Sequence, residues 1–338
     1  MLPVDDLAHV ELNAEFQQAL AVMEDSSSHC FITGRAGTGK STLLQYFRAV
    51  TKKKVVVLAP TGVAAVNVQG QTVHSFFGFK PNVTPEKARR LATTAKRRNP
   101  KSIFQNVDAI ILDEISMVRA DLFECMDAFL RTARSKARVP FGGVQLILIG
   151  DLYQLPPVVT TAERAAFASR YPGPHFFNAP VAKDLQLEFV ELTQVYRQPD
   201  PEFVNMLNAV RNNSLTADDI ARFNTRHNPD FLPTDNGFIT LTSMNEPAHL
   251  INAQRLSEID DAEFTFTGTL DGEFTRDALV TDPILTLKLD AQVMLLNNDA
   301  EGRWVNGTLG RVQEIHPNDQ VVIVELEDGS CVEVTRHK

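Results

Sequence analysis

The sequence predicts an α/β fold built on a parallel sheet, on three observations. Short, near-continuous apolar runs recur as "KVVVLAP" (54–60), "VDAIILDE" (107–114) and "VQLILIGD" (144–151), as expected of parallel strands buried on both faces. Helical spacing lies between them, as in "RADLFECMDAFLRTAR", where Leu122, Met126 and Phe129 share a face. A further apolar strand, "CFIT", runs into a glycine-studded loop and then into the helix-forming "STLLQYFRAV".

That first strand, loop and helix carry the most specific motif. Gly34 to Ser41 fit G-x-x-x-x-G-K-[ST], in the strand-then-helix context the motif requires. Glycines at 34, 37 and 39 let backbone N–H groups curl around a phosphate, and Lys40 reaches the β and γ oxygens. Ser41 is placed to ligate magnesium, and Thr38 and Thr42 complete the binding set. The strand "AIILDE" delivers Asp113 to its carboxyl end to hold the metal through water, with Glu114 beside it to deprotonate an attacking water. After "LILIG" the chain turns at Gly150-Asp151, presents Gln154 as a γ-phosphate sensor, and is stiffened by Pro156-Pro157.

Other elements bound the class. The 338 residues suffice for two or three domains, and 43% hydrophobic content is ordinary for a globular chain. Acidic residues stand where a secretory leader would be positive, and no apolar run approaches the ~18 residues of a bilayer span. A cytoplasmic protein without a membrane partner is expected. Cys30, Cys125 and Cys331 lie far apart, which suggests buried thiols rather than disulfides or zinc. A net charge of −9 excludes coating nucleic acid by bulk electrostatics, yet Lys80, Lys87, Arg89, Arg90, Lys96, Arg97, Arg98 and Lys101 cluster against a single acid, Glu86. From about 281 the pattern turns to short alternating strands with Asn306-Gly307 and Asp328-Gly329 turns, which predicts a small β-barrel.

The strings "GRAGTGKST", "APTGVAAVNVQGQTVHSFFGF", "ILDEISMV", "GDLYQLPPV" and "ELTQVYRQPDPEFVNMLNAVR", in that order, resemble the PIF-type (petite integration frequency) DNA helicases of superfamily one, relatives of the RecD-like enzymes. The resemblance runs from about residue 12 to the end. It implies a DNA-associated protein with two RecA-like domains that close on ATP and Mg2+, a motor moving 5′ to 3′ on single-stranded DNA and opening forked duplexes, in repair and recombination. It implies a catalytic set of Lys40, Asp113, Glu114, Gln154 and Arg197, the last contributed by the second domain. For DNA it points to Thr61, Thr72, His74 and Ser75, with Arg89, Arg90, Arg97 and Arg98 from the small insert, while Phe76 and Phe77 read as core.

The implied domains are 1–190, with the insert at about 80–101, a partial second RecA-like domain at 191–280 and the barrel insert at 281–338. Two departures accompany the resemblance. Phe16 stands where the family has an adenine-reading glutamine, with Gln17 next to it as the substitute candidate. The chain also ends directly after the barrel, so a further segment or a partner is expected to complete the second motor domain. Besides a helicase, whole or truncated, a nucleotide-gated DNA-binding module with little unwinding and a non-helicase P-loop ATPase remain open.

Overall fold

The computed structural model describes residues 12–25, 28–80, 82–99, 101–196, 200–231, 238–269, 281–297, 299, 301–304 and 307–336. Two compact units divide the chain, Met1–Thr225 and Arg226–Lys338. The first unit takes in the strand at 187–192, which pairs into the first sheet, and the two helices at 201–211 and 217–224.

In the first unit, α1 (Ala14–Asp25), β1 (His29–Gly34), α2 (Lys40–Val50), β2 (Val55–Ala59), α3 (Gly62–Asn67), β3 (Gln71–Thr72) and α4 (Val73–Phe77) come first. Then follow α5 (Pro85–Arg98), α6 (Ile103–Asn106), β4 (Ala109–Leu112), α7 (Ala120–Ala133), β5 (Gln145–Ile149), α8 (Arg164–Ala168), β6 (Leu187–Leu192), α9 (Pro201–Arg211) and α10 (Ala217–Asn224). The six strands pair in parallel in the order β3-β2-β4-β5-β1-β6.

Strand alternation sends side chains to two cores. Ile110, Leu112, Leu146 and Leu148 join Phe77, Phe123, Phe129, Phe141 and Phe176 on one face. Ala109, Ile111, Ile147 and Ile149 join Phe16, Met23, Leu43, Leu44 and Phe47 on the other. Each large apolar side chain so buried contributes about 1.5–3 kcal/mol. This two-sided burial holds the carboxyl ends of β1, β4 and β5 side by side, where open parallel sheets bind ligands.

Helix α5 starts from a Thr84 cap and Pro85, then buries Ala88 and Ala92 in the same core as α7. Phe77 is buried and Phe76 packs against that core, as expected. Cys30 and Cys125 are buried, with thiols pushed up to about 12 chiefly by burial, whereas Cys331 is exposed, against expectation, at the start of an edge strand.

The second unit contains α11 (Asn245–Ser257), an antiparallel pair β7 (Phe264–Thr267) and β8 (Ile284–Leu287), and four strands β9 (Gln292–Met294), β10 (Leu309–His316), β11 (Val321–Leu326) and β12 (Cys331–Thr335). The four pair antiparallel as β12-β11-β10-β9, so where a barrel was expected the described residues show a sheet with β9 and β12 at its edges. Its core gathers Leu287, Trp304, Val312, Val324 and Leu326. The Asp328-Gly329 turn joins β11 to β12, with Leu326 N–H donating to Ser330 C=O at 2.8 Å. Asn306 lies outside the described residues.

Candidate functional site

The loop from Gly34 to Lys40 leaves β1 and enters α2. Its glycines are there for space and backbone sign. A Cβ on Gly34 would lie 2.6 Å from the Leu192 carbonyl oxygen, and Gly39 has φ +85°, where a Cβ would meet the Phe16 ring at 2.8 Å. Thr38 is buried and donates to Arg35 C=O at 2.9 Å, which tightens the loop. Lys40 Nζ donates to the carbonyls of Gly34 (2.6 Å) and Arg35 (3.0 Å), so the cation is held at the mouth of the loop. Burial lowers its pKa, the carboxylates of Asp151, Glu114 and Asp113 oppose that shift, and Arg211 adds to it. Ser41 and Thr42 occupy the first turn of α2, behind Gly39 at the helix entry.

Asp113 follows β4 directly, its N–H donating to Leu58 C=O at 2.9 Å. Burial and the neighbouring charge of Glu114 push its carboxyl up to about 6, against the opposing effects of the Glu114 amide and Lys40. The Lys40 charge only partly offsets burial and Glu114 at this carboxylate, an environment that suits a divalent cation held jointly with phosphate oxygens. Glu114 has φ 50° and ψ 44°, a left-handed conformation that costs energy for a non-glycine residue.

At the end of β5, Asp151 is only 2% exposed and is saturated with donors. Arg211 Nη2 donates to Oδ1 at 3.1 Å and Nε to Oδ2 at 3.4 Å; Tyr153 N–H reaches Oδ1 at 3.1 Å and Gln154 Nε2 reaches Oδ2 at 3.3 Å. Burial alone would raise this carboxyl, but the Arg211 bonds and those from Tyr153 and Gln154 outweigh it and hold the group below its ordinary value. The Arg211 guanidinium also stacks 4.1 Å from the Tyr153 ring centroid.

On the other side of the loop, Tyr196 N–H donates to Gly37 C=O at 2.8 Å, and its ring meets Phe16 edge-on at 6.5 Å. Asn13 donates to the Tyr196 hydroxyl and to Gln194. Gln17 is exposed and turns its amide to Leu12 C=O at 2.9 Å. Arg197 lies outside the described residues.

The structure therefore brings Asp113 and Glu114 together with Lys40, on which both charges act, and adds Gln154 through its bond to Asp151, a residue that also acts on Lys40. Arg211, Tyr196 and Asn13 were not singled out by the sequence. Arg211 closes the string "ELTQVYRQPDPEFVNMLNAVR", but a basic residue in a last helical turn is ordinary there, and only the geometry gives it a partner.

Of the residues expected to meet DNA, Thr61 accepts from Ala64 N–H at 3.2 Å and Thr72 from Ser75 N–H at 3.1 Å, so both hydroxyls serve as helix caps. His74 lies on α4, its pKa lowered first by burial, with Asp121 opposing and Arg119 adding to the shift. Ser75 is exposed. Arg89, Arg90, Arg97 and Arg98 are exposed on α5, away from its buried alanines. Glu86 reaches only one of them, Arg89, at 3.8 Å.

The chain matches the PIF1-like helicase family over residues 11–220. It is 33% identical over 347 residues to ATP-dependent DNA helicase Pif1 of Bdellovibrio bacteriovorus, an alignment covering 99% of this chain and 74% of that protein. With ATP-dependent DNA helicase PIF1 of Emericella nidulans it shares 34% identity over 316 residues, 86% of this chain and 40% of the fungal protein, so it spans less than half of that relative. A solved structure of Pif1 helicase from Bacteroides in complex with ADP-AlF3 and ssDNA superposes with a TM-score of 0.74 at 33% identity, covering 97% of this chain and 75% of that one.

Proposed function

The chain belongs to the PIF1-like helicase family, and from that premise we propose that it hydrolyses ATP to drive 5′ to 3′ movement along single-stranded DNA and to open forked duplexes. The observation that carries the reading is the meeting of three strand ends on one phosphate loop: Lys40 after β1, Asp113 and Glu114 after β4, Asp151 and Gln154 after β5. The Bacteroides relative, solved with ADP-AlF3 and ssDNA, supports both ligand classes.

In this scheme Lys40 leaves the carbonyls of Gly34 and Arg35 for the β and γ oxygens of the nucleotide. Backbone N–H groups of 37–41 hold the phosphates, aided by the α2 N-terminus. Ser41 and Asp113 would hold a magnesium ion, which when bound screens the phosphate charge and supplies what the raised Asp113 carboxyl lacks. Glu114, whose charge acts on Lys40 across the site, takes the proton of the attacking water, and Gln154 orients that water. Arg197 is the proposed cation from beyond the sheet. DNA phosphates are proposed to meet Ser75, His74 and the arginines of α5.

Steady-state ATPase with oligo-dT and unwinding of a forked duplex test this reading. Lys40→Ala is expected to abolish hydrolysis and weaken nucleotide binding. Glu114→Gln is expected to keep nucleotide bound while turnover falls about 10²- to 10⁴-fold. Turnover near the wild-type rate in Lys40→Ala would remove the site assignment. DNA-stimulated ATPase without unwinding would favour the nucleotide-gated binding module.

A further inference from the structure

Arg211 is the feature of the site that the proposed scheme leaves without work. It is the last residue of α9, its side chain is 17% exposed, and it places a second cation near Lys40. Yet it is committed to Asp151 by two bonds from one guanidinium edge, and its other surface lies on the Tyr153 ring. Asp151 in turn accepts from the Gln154 side chain.

That last bond fixes an orientation. A glutamine amide has a donating and an accepting end; with Nε2 on Asp151, Oε1 is the end left for another partner. Gln154 is itself exposed, so without the bond its side chain would sample several rotamers. Asp151 holds the amide only while it remains an ionised, immobile acceptor, and the Arg211 fork provides that.

We infer that Arg211 is a positioning residue for Gln154: by fixing Asp151 it sets which end of the amide faces the phosphate site. The inference rests on the ATPase reading above. A purely structural ion pair would need no third member, and buried ion pairs contribute little net stability by themselves. Here the carboxylate oxygen that accepts Arg211 Nε, Oδ2, also accepts Nε2 of Gln154, the residue assigned to the attacking water.

The test is a double-mutant cycle in the full chain, read as kcat and KM for ATP with oligo-dT and accompanied by thermal unfolding. Arg211→Ala is expected to lower kcat about tenfold or more while KM stays within about threefold, the pattern of a missing transition-state interaction. Arg211→Lys, which leaves a cation beside buried Asp151 and so preserves the fold, is expected to give an intermediate kcat, because an ammonium cannot reproduce the fork or the stacking. Combining Arg211→Ala with Gln154→Ala is expected to be no slower than Gln154→Ala alone. Additive losses, an unchanged kcat in both arginine variants, or a loss that follows unfolding temperature alone would overturn the inference. A folded wild-type chain without ATPase would overturn the ATPase reading itself, whereas wild-type ATPase that Lys40→Ala abolishes confines any failure to the role of Arg211.

Discussion

His29 shows how one side chain on the first residue of β1 ties stability to pH. Its Nδ1 accepts the Leu146 N–H at 3.0 Å, and burial lowers its pKa below the ordinary 6.5. Between the lowered value and 6.5 the unfolded chain binds more protons than the folded one, so stability rises with pH. The contribution is fully present above 6.5 and is lost as pH falls below it. His74, lowered mainly by burial, acts with the same sign. The raised Asp113 carboxyl acts with the opposite sign, adding stability as pH falls through about 6. The expected outcome is therefore a difference: between pH 7 and pH 5, His29→Asn, which keeps an acceptor near Nδ1 but does not titrate, should change its melting temperature along a different slope from the parent chain, losing less. An unchanged slope in differential scanning fluorimetry would remove His29 from the account. At this scale the geometry of the loop from Gly34 to Lys40, between a strand and a helix, was legible because the motif is local: glycines, lysine and hydroxyl follow one another along the backbone. Arg211 was not, since its partner Asp151 lies 60 residues away and helical register alone does not say what a terminal arginine meets.

Helix α5 carries the argument for elements. Its basic run was visible in the sequence, but the Ala88 and Ala92 stripe that seats it on the core shows why the arginines are free to face outward. Replacing Arg89, Arg90, Arg97 and Arg98 by Gln is expected to leave helix content and melting temperature nearly unchanged. The slope of log K against log salt for oligo-dT should flatten by about 0.7 for each phosphate that is no longer neutralised. Equal slopes in the two proteins would make the face a solvated surface only. Thr61 and Thr72 show the reverse case: a hydroxyl in a loop reads as a phosphate donor until the cap geometry is seen, because both roles ask for the same small polar side chain.

For the whole molecule, the first unit's parallel sheet was legible from its apolar runs, which burial on both faces makes nearly continuous. Strand β6 was not, because Phe189 and two glutamates are exposed on it and interrupt the apolar run, although it pairs along β1 over its full length. The cores of the two units share no residue among those described. Calorimetry is expected to resolve two unfolding transitions, with ADP raising only the one that belongs to Met1–Thr225. A hundredfold excess over Kd contributes about 2.7 kcal/mol to that unit. A single transition shifted as a whole would show that the units unfold together. The way β6 leaves the sheet has a mechanical consequence. Thr193 is bound through its N–H and hydroxyl to Glu15, and Asn13 and the Gly37 carbonyl grip the segment up to Tyr196. A strap fastened at so many points has no slack. Any shift of the loop that carries Gly37 with it must pull Tyr196 or break its bond, which makes the strap a linkage between that loop and the chain leaving β6.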